Sequence, residues 1–435
     1  MCGKTYLNIL KQKKIRYLFG SNIINRFGDA IDTLAFSWLV YAFTEESMWA
    51  AIVFAVNKIP SVFLLPFSGA IVEKYNKKKV IVICDIFRLV FVVFLFYIIL
   101  AKQASLPILF LFTLLISIAE AFRMPASNSF ITQIIEKDSI ERVIVLNTVA
   151  STIVEIIGTA VGGFIISKIG ISTAFLIDAF SFVVSIALIL VIHHDEVIRA
   201  DIIQSSTTQV FKEGLLYIKG KRIIVNAISL AIMANVAMSP LDSLQTATIV
   251  EIFHCNASFL SLLNIALSIG MFTGGIIYPS LRTYIKDKFL YLVSFLYIGI
   301  LYLLISIFAH IQNEFVSFQY LFVFAYFLYG LAAGFIATGL GISLLENTEQ
   351  AYMARVTTIY SSIPAAATPV SSSAAGLLTK WMSIPTLFLV LFGMIMLSIT
   401  VYFFKTTPYR SRRQTEQTCG SIEPNENKQT EETLS

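Results

Sequence analysis

The first apolar stretch of the chain, residues 17–43, reads YLFGSNIINRFGDAIDTLAFSWLVYAF. It exceeds the roughly 20 residues that a helix needs to cross the hydrocarbon core of a bilayer. The basic run KQKKIR, residues 11–16, comes directly before it, and positively charged flanks stay on the cytoplasmic side. The stretch is too long, and with Arg26, Asp29 and Asp32 too polar, for the apolar part of a cleavable signal peptide. It therefore predicts a first membrane-spanning helix that begins in the cytoplasm.

Eleven more apolar stretches fill most of the remaining chain, and 57% of all residues are hydrophobic while 14% are charged. This composition indicates a membrane protein and argues against a soluble enzyme. The expected fold is all-α, an integral membrane protein with 12 transmembrane helices. The later eleven spans are predicted at residues 48–72, 79–101, 104–123, 143–167, 170–192, 222–250, 257–281, 289–309, 316–345, 355–379 and 384–404.

A polar interval divides these stretches into two groups of six. The offset that carries Arg142 onto Arg355 also carries residues 158–163 onto 371–376, so the two halves correspond weakly in sequence. Parallel repeats of this kind are typical of transporters in which two bundles rock around a central site. We predict an N-terminal bundle, a cytoplasmic linker, a C-terminal bundle and a disordered cytoplasmic tail at residues 1–192, 193–221, 222–404 and 405–435.

Most of the 32 Lys and Arg residues lie near the two ends of the chain and in every second connection. The connections on the other side hold only Lys102, Lys168 and Lys380. Because basic loops stay in the cytoplasm, both termini are expected there, in a bacterial plasma membrane. The same pattern argues against a nucleic-acid partner, since the charges follow the predicted membrane topology through the whole chain.

Two motifs resemble those of the major facilitator superfamily. Residues 69–79, GAIVEKYNKKK, are similar to the family's cytoplasmic loop between spans two and three, with Glu73 where Asp is usual and Asn76 where Gly is usual. Residues 158–163, GTAVGG, are similar to the glycine-rich fifth-helix motif of the family's exporters, with Thr159 in place of Pro. The resemblance implies the major facilitator fold. The residues expected to control its conformational cycle are Gly69, Glu73, Lys74, Lys77, Lys78, Gly158, Gly162 and Gly163.

A narrower resemblance covers the first part of the chain. Gly28-Asp29, residues 123–126 (RMPA) and residues 175–178 (FLID) look like the macrolide-efflux branch of proton-linked drug exporters. This resemblance implies efflux of macrolide-like drugs.

Paired glycines indicate close helix packing. Gly158 and Gly162 in span five, and Gly270 and Gly274 in span eight, have the spacing that lets helix backbones approach closely. Because spans five and eight meet across the two halves in the resembled fold, we expect these glycines at that contact.

The acids in the predicted spans need protein or water around them, since a charge at a helix centre costs about 2.5–3.5 kcal/mol. In the first span, a polar face about 100° wide predicts a cavity lining. We expect Asp29 to carry a coupling proton and Arg26 to tune it, unless the two form a purely structural ion pair. Asp32 and Glu155 are the next candidates. The residues that share the polar face are Asn22, Asn25, Arg26, Asp29 and Thr33, with Asp32 at its edge.

Other charged residues suggest partners and contacts. A Lys58–Glu155 ion pair is possible, because spans two and five flank the same half. Asp85 and Arg88, with Glu73, are expected to form a structural latch, and Asp178 is expected to serve packing. The residues expected to bind substrate are Asn25, Phe36, Glu120 and Asp242.

Three functional classes remain open. The first is secondary active efflux of lipophilic, cationic drugs by proton antiport, and the second is a proton-linked carrier of a polar metabolite or lipid. The third is a membrane sensor that transports nothing. The chain has no phosphate-binding G-x4-G-K-[ST] motif and no cysteine pattern with metal spacing, so no cofactor is expected. The expected partners are the lipid bilayer, a small-molecule substrate and protons, and the chain is expected to work as a monomer.

The topology can be tested by labelling intact cells. A tag placed after Ser435 should be reachable only from the cytoplasm, whereas Glu45→Cys and Asn313→Cys should react with a membrane-impermeant thiol reagent from outside. These outcomes follow from the basic residues of the cytoplasmic loops. Reaction of the C-terminal tag from outside would contradict the predicted orientation.

Overall fold

The computed structural model describes residues 12–134, 140–193, 207–311, 316–349 and 352–405. These residues form fourteen α-helices. The helices are α1 (Lys13–Thr44), α2 (Ser47–Glu73), α3 (Lys77–Leu100), α4 (Leu106–Ile134), α5 (Ile140–Lys168), α6 (Ile171–Val191), α7 (Thr207–Gly220), α8 (Arg222–Ser243), α9 (Gln245–Glu251), α10 (Ala257–Leu281), α11 (Asp287–Ile311), α12 (Val316–Asn347), α13 (Met353–Leu378) and α14 (Ile384–Lys405).

Ten of the helices in the described ranges are long and apolar enough to cross a membrane. Helices α1 and α13 coincide with two further predicted spans, but their composition is more polar. Helix α1 carries Arg26, Asp29 and Asp32, and α13 is rich in Ser, Ala and Thr and contains Pro364 and Pro369. Both helices pack against several others, α1 against α5 and α6, and α13 against α2 and α8. Their polar residues therefore have protein neighbours to face.

The structure divides one predicted span and places a helix in the predicted linker. The predicted span 222–250 is two helices, because α8 ends at Ser243 and α9 begins at Gln245. The break comes at Leu244, one turn after Pro240, which lies inside α8. The predicted linker contains the helix α7. The predicted tail lies almost wholly outside the described residues.

Helix α7 is attached to the C-terminal half. Tyr217 stacks on Tyr352 with ring centroids 4.3 Å apart, and Arg355 of α13 forms a 3.0 Å ion pair with Glu213. Next to α7, Lys221 donates a 3.0 Å hydrogen bond to Glu349, which holds the pKa of that carboxyl below its usual range. The second part of the linker is thus part of the C-terminal bundle.

The helices pack in two groups with matching neighbours. In the first group α1 packs on α5, α2 on α4, and α3 on α4 and α6. In the second group α8 packs on α13, α10 on α12, and α11 on α12 and α14. The two most extensive contacts between groups, α2 with α13 and α5 with α10, also correspond under this repeat. The prediction of an all-α membrane fold is confirmed, and the packing of the described helices follows the predicted repeat of two halves.

The paired glycines lie within each half, so the prediction that they meet across the halves is wrong. A Cβ atom on Gly158 or Gly162 would contact α1 of the same half. Gly270 and Gly274 approach the backbone of α12 around Gly330. The sequence spacing identifies a close contact correctly, but it does not say which helix is the partner.

The halves touch each other through two different glycines. A Cβ on Gly163 would meet Ser261 and the carbonyl oxygen of Ala257 on α10, and one on Gly376 would meet Met48 and Ala51 on α2. Gly163 and Gly376 are equivalent positions in the sequence repeat. We call this end of the bundle, where α1 ends and α2 begins, the contact end.

Hydrogen bonds between the halves also lie towards the contact end. Glu251 of α9 accepts from the hydroxyl of Tyr41 at 3.1 Å and from the hydroxyl of Ser47 at 2.6 Å. Ser37 and Thr246 share a 2.6 Å bond. One carboxylate of the C-terminal half therefore holds both α1 and α2 of the N-terminal half.

A matched pair of substitutions tests the packing of α10 on α12. Gly330→Ala places a methyl group against the α10 backbone at Leu267 and Met271, whereas Gly341→Ala, on the same helix, meets nothing within 4 Å. Overpacking of this kind destabilises by about 1–3 kcal/mol, so Gly330→Ala should lower the thermal unfolding temperature. Gly341→Ala should leave it unchanged or raise it, because Ala favours helix. Equal shifts in the two variants would contradict the close contact.

The Glu251 contacts can be tested by accessibility. Glu251→Ala removes two hydrogen bonds of about 1 kcal/mol each, which should raise the open population at the contact end roughly tenfold to thirtyfold. A reporter Thr33→Cys, in a background without the native cysteines, should then react faster with a membrane-impermeant reagent added from that side. Glu46→Gln, at the same end, is the matched control and should react at the parent rate. An unchanged rate in Glu251→Ala would show that these bonds do not hold the end closed.

Candidate functional site

One face of α1 points toward the other half. Ser37 on this face contacts Thr246 of α9. Arg26 precedes Ser37 by 11 residues, about three helical turns, so the two lie on nearly the same side of the helix. Thr33 is on this side as well and is exposed. Arg26 and Thr33 therefore face the space between the halves.

Arg26 pairs with Glu155 of α5 at this face. The ion pair measures 2.8 Å, and the two side chains are 40% and 39% exposed. Thr159, one turn after Glu155, accepts a 2.7 Å hydrogen bond through its carbonyl from Ser261 of the other half. Glu155 is thus on the inter-half side of α5. The half-exposed pair shows that the halves stand apart at this level while they touch at the contact end.

The predicted pairings of these residues are wrong. Arg26 binds Glu155 and not Asp29, and Glu155 does not bind Lys58. Lys58 lies 5.4 Å from the ring of Phe54 and is an electrostatic neighbour of Asp242 in the other half. The helical wheel places Arg26 and Asp29 on one stripe, but it cannot show that α5 supplies a carboxylate nearer to the guanidinium.

Asp29 turns into the N-terminal half, where it forms an ion pair with Arg88 of α3. The side chains are 13% and 3% exposed, and the guanidinium lies 4.5 Å from the ring of Phe182 on α6. Asn25 is 3% exposed. The polar stripe of α1 is therefore divided, since one edge faces the inter-half space and the other faces α3 and α6.

The predicted latch of Asp85, Arg88 and Glu73 is wrong, because Asp85 and Arg88 each pair with another residue. Asp85 is fully buried and forms an ion pair with Arg123 of α4, and it accepts a 2.8 Å hydrogen bond from Ser185. The side chain of Glu73 is outside the described part of the structure.

Asp178 and Asp32 lie beside the Asp29–Arg88 pair. Asp178 is fully buried, and a Cβ on Gly28 would collide with its Oδ1 atom. The burial of Asp178 against Gly28 agrees with the packing role expected for it, but the sequence did not predict that it lies near Asp29 and Arg88. The sequence did contain a signal for this proximity, because Gly28-Asp29 and residues 175–178 (FLID) both belong to the same family resemblance.

The structure places the four predicted substrate residues in different environments. Phe36 packs edge-on against Phe175 of the same half, at 6.3 Å between ring centroids, and Asn25 is buried, so these two do not line the inter-half space. Glu120 is half-buried and is an electrostatic neighbour of Arg26. Asp242 accepts a 3.4 Å hydrogen bond from Tyr329.

Polar residues on the C-terminal side were missed. Asn235 of α8 accepts a 3.0 Å hydrogen bond from Thr368 of α13, and Ser239 shares a 2.6 Å bond with Ser371. Ser and Asn residues in a predicted span carry no charge, so they gave little signal.

The loop motif has a structural basis in this chain. Asn76 accepts a 2.9 Å hydrogen bond from the backbone N–H of Lys79 and caps α3, which explains a residue other than Gly at this position. Lys78 donates to the carbonyl oxygens of Leu190 and Ile192 at the end of α6. Lys77 is buried, Lys74 is exposed, and a Cβ on Gly69 would meet nothing within 4 Å.

Comparisons with known proteins agree with this architecture. A family model described as transmembrane secretion effector matches residues 4–427. The uncharacterized MFS-type transporter YkuC of Bacillus subtilis (strain 168) is 23% identical over 310 residues, 68% of this chain and 71% of that protein. The staphyloferrin A transporter of Staphylococcus aureus (strain NCTC 8325 / PS 47) is 23% identical over 180 residues, 41% of this chain and 45% of that protein. The crystal structure of the nucleoside transporter NupG has a TM-score of 0.71 at 15% identity, covering 91% of this chain and 100% of that one. The chain belongs to the transmembrane secretion effector family of major facilitator membrane transporters.

Proposed function

We propose that this chain is a secondary active exporter of lipophilic, cationic, macrolide-like compounds, driven by proton antiport through alternating access. The observation that carries the proposal is the half-exposed Arg26–Glu155 ion pair between two halves that touch at the contact end. Unlike the buried Asp29–Arg88 and Asp85–Arg123 pairs, its side chains are 40% and 39% exposed, so water or a polar ligand can reach them. The space between the halves is therefore the candidate substrate path.

The direction of transport follows from the predicted topology. With both termini in the cytoplasm, the contact end is outside, and the space around Arg26 faces inward. A carrier in this state takes up its substrate from the cytoplasm and releases it after the contact end opens. The description of the family as a secretion effector supports the same direction.

The charges along the path favour a cationic substrate. Glu155, Glu120 and Asp242 provide three carboxyl groups near the inter-half space, against Arg26 and Lys58. A bound amine can take the place of Arg26 beside Glu155, and the apolar walls of the spans hold the rest of an amphipathic molecule.

Proton entry supplies enough energy for this export. One charge moved through 100 mV gives about 2.3 kcal/mol, roughly a fifty-fold concentration ratio. Asp29 is the proposed carrier of the proton at the edge of the path. Asp29 forms an ion pair with Arg88, so protonation of Asp29 would release Arg88 and loosen α1 from α3.

The test uses proteoliposomes with an imposed pH gradient and a labelled macrolide, a labelled anionic drug and a labelled nucleoside. The macrolide should move against its gradient, and a protonophore should stop this movement. Asp29→Asn should abolish gradient-driven transport but retain macrolide binding, because it removes the charge at nearly constant shape. Asp29→Glu keeps the carboxyl group and should retain part of the transport.

Other outcomes would replace the proposal. Gradient-driven movement of the nucleoside alone would indicate a carrier of polar metabolites. Folded protein that moves none of the three compounds would favour a sensor. Wild-type rates in Asp29→Asn would exclude Asp29 as the proton carrier.

A further inference from the structure

A group of acids lies in the core of the N-terminal half. Asp32 of α1 and Asp178 of α6 flank the Arg88–Asp29 ion pair, and each is an electrostatic neighbour of both Arg88 and Asp29. Oδ1 of Asp178 accepts a 3.3 Å hydrogen bond from Ser181. Oδ2 of Asp178 and Oδ1 of Asp32 are buried and have no hydrogen-bond partner in the part of the chain that the structure describes.

Three carboxyl groups therefore share one guanidinium. Arg88 binds Asp29 through Nη2, and its Nε and Nη1 atoms are buried without a partner among the described residues. Two neighbouring carboxylates in a dry interior repel each other, and one of them is readily protonated. A protonated carboxyl also supplies the donor that a second carboxylate needs.

The surrounding helices do not add a base for these acids within the described ranges. Arg26 is already bound to Glu155, and Arg123 is bound to Asp85. Glu120 adds a further acid near Asp32. The charged and titratable groups around the cluster are Arg26 on α1, Cys84 and Asp85 on α3, Glu120 and Arg123 on α4, and Glu155 on α5.

We propose that Asp32 and Asp178 share one proton and form a proton-binding site between α1 and α6, beside the Arg88–Asp29 pair. The shared proton satisfies Oδ1 of Asp32 and Oδ2 of Asp178 together, since one becomes a donor and the other accepts. Release is a simple proton transfer: the carboxyl O–H bond breaks, water in the inter-half space takes the proton by way of Asp29, and two carboxylates remain. Asp29 is 13% exposed and provides this link.

The use of this site in transport rests on the proposed function. After release, Asp32 and Asp178 both carry charge and compete with Asp29 for Arg88. The competition draws α1, α3 and α6 into a different arrangement, so the two protonation states favour two packings of the same half.

The site can be tested by infrared difference spectroscopy of the full-length protein in nanodiscs during a pH titration. A protonated carboxyl has a carbonyl band separate from the carboxylate bands, and the band shifts in D2O. The wild type should show such a band of one proton equivalent, and Asp178→Asn and Asp32→Asn should each remove it. Asp178→Glu keeps a carboxyl group, so it should shift the frequency of the band without removing it. This variant distinguishes loss of the site from loss of folding.

Glu155→Gln is the matched control, because it removes an acid that already has its own arginine, and the band should remain. A band that survives both Asn substitutions would overturn the assignment, whatever the protein transports. Displacement of the band by Na+ at constant pH and ionic strength would also overturn it, since the site would then take a metal cation. If the band behaves as expected but wild-type transport ignores a pH gradient, the proton site stands and the proposed antiport fails.

Discussion

The N-terminal half depends on one constraint, that a charge in the hydrocarbon region must be paired or must reach water. Among its described residues, three paired arginines each join two different helices. Arg26 joins α1 to α5, Arg88 joins α3 to α1, and Arg123 joins α4 to α3. Removing Asp85 would leave the charge of Arg123 buried without its partner, which typically destabilises by about 3–5 kcal/mol. These ion pairs therefore help to set which helices are neighbours.

The C-terminal half is held together differently. Helices α10 and α12 interlock through glycines on both sides, and Tyr302 of α11 donates a 2.8 Å hydrogen bond to the carbonyl of Ala237 on α8. Between the halves, by contrast, the contacts shown are hydroxyl bonds, the Glu251 contacts and the close approaches at Gly163 and Gly376. Halves that touch at one end and stand apart around Arg26 suit a cycle in which the halves rock as units.

The sequence predicted the architecture well because the length of an apolar stretch is imposed directly by the bilayer. It predicted the site less well, because a helical wheel gives the direction of a side chain but not the neighbour in that direction. The helical wheel placed Asp29 on the polar face of α1, yet its partner Arg88 lies 59 residues away in the sequence. Gly162 and Gly163 are adjacent, yet they face different helices, since one residue turns a helix by about 100°. Which neighbour a side chain contacts depends on the distances between helices, and these distances are set only in the packed fold.

Helix α1 connects the acid cluster with the contact end. It carries Asp29 and Asp32 near its middle, and Ser37 and Tyr41 one to three turns later bond to the other half. Two sites are coupled when both of them influence the position of one shared structural element. Because α1 is continuous from Lys13 to Thr44, any shift of its middle in the proposed proton cycle would also move Tyr41 relative to Glu251. In the proposed mechanism, α1 would therefore link proton binding at its middle to the closure of the contact end.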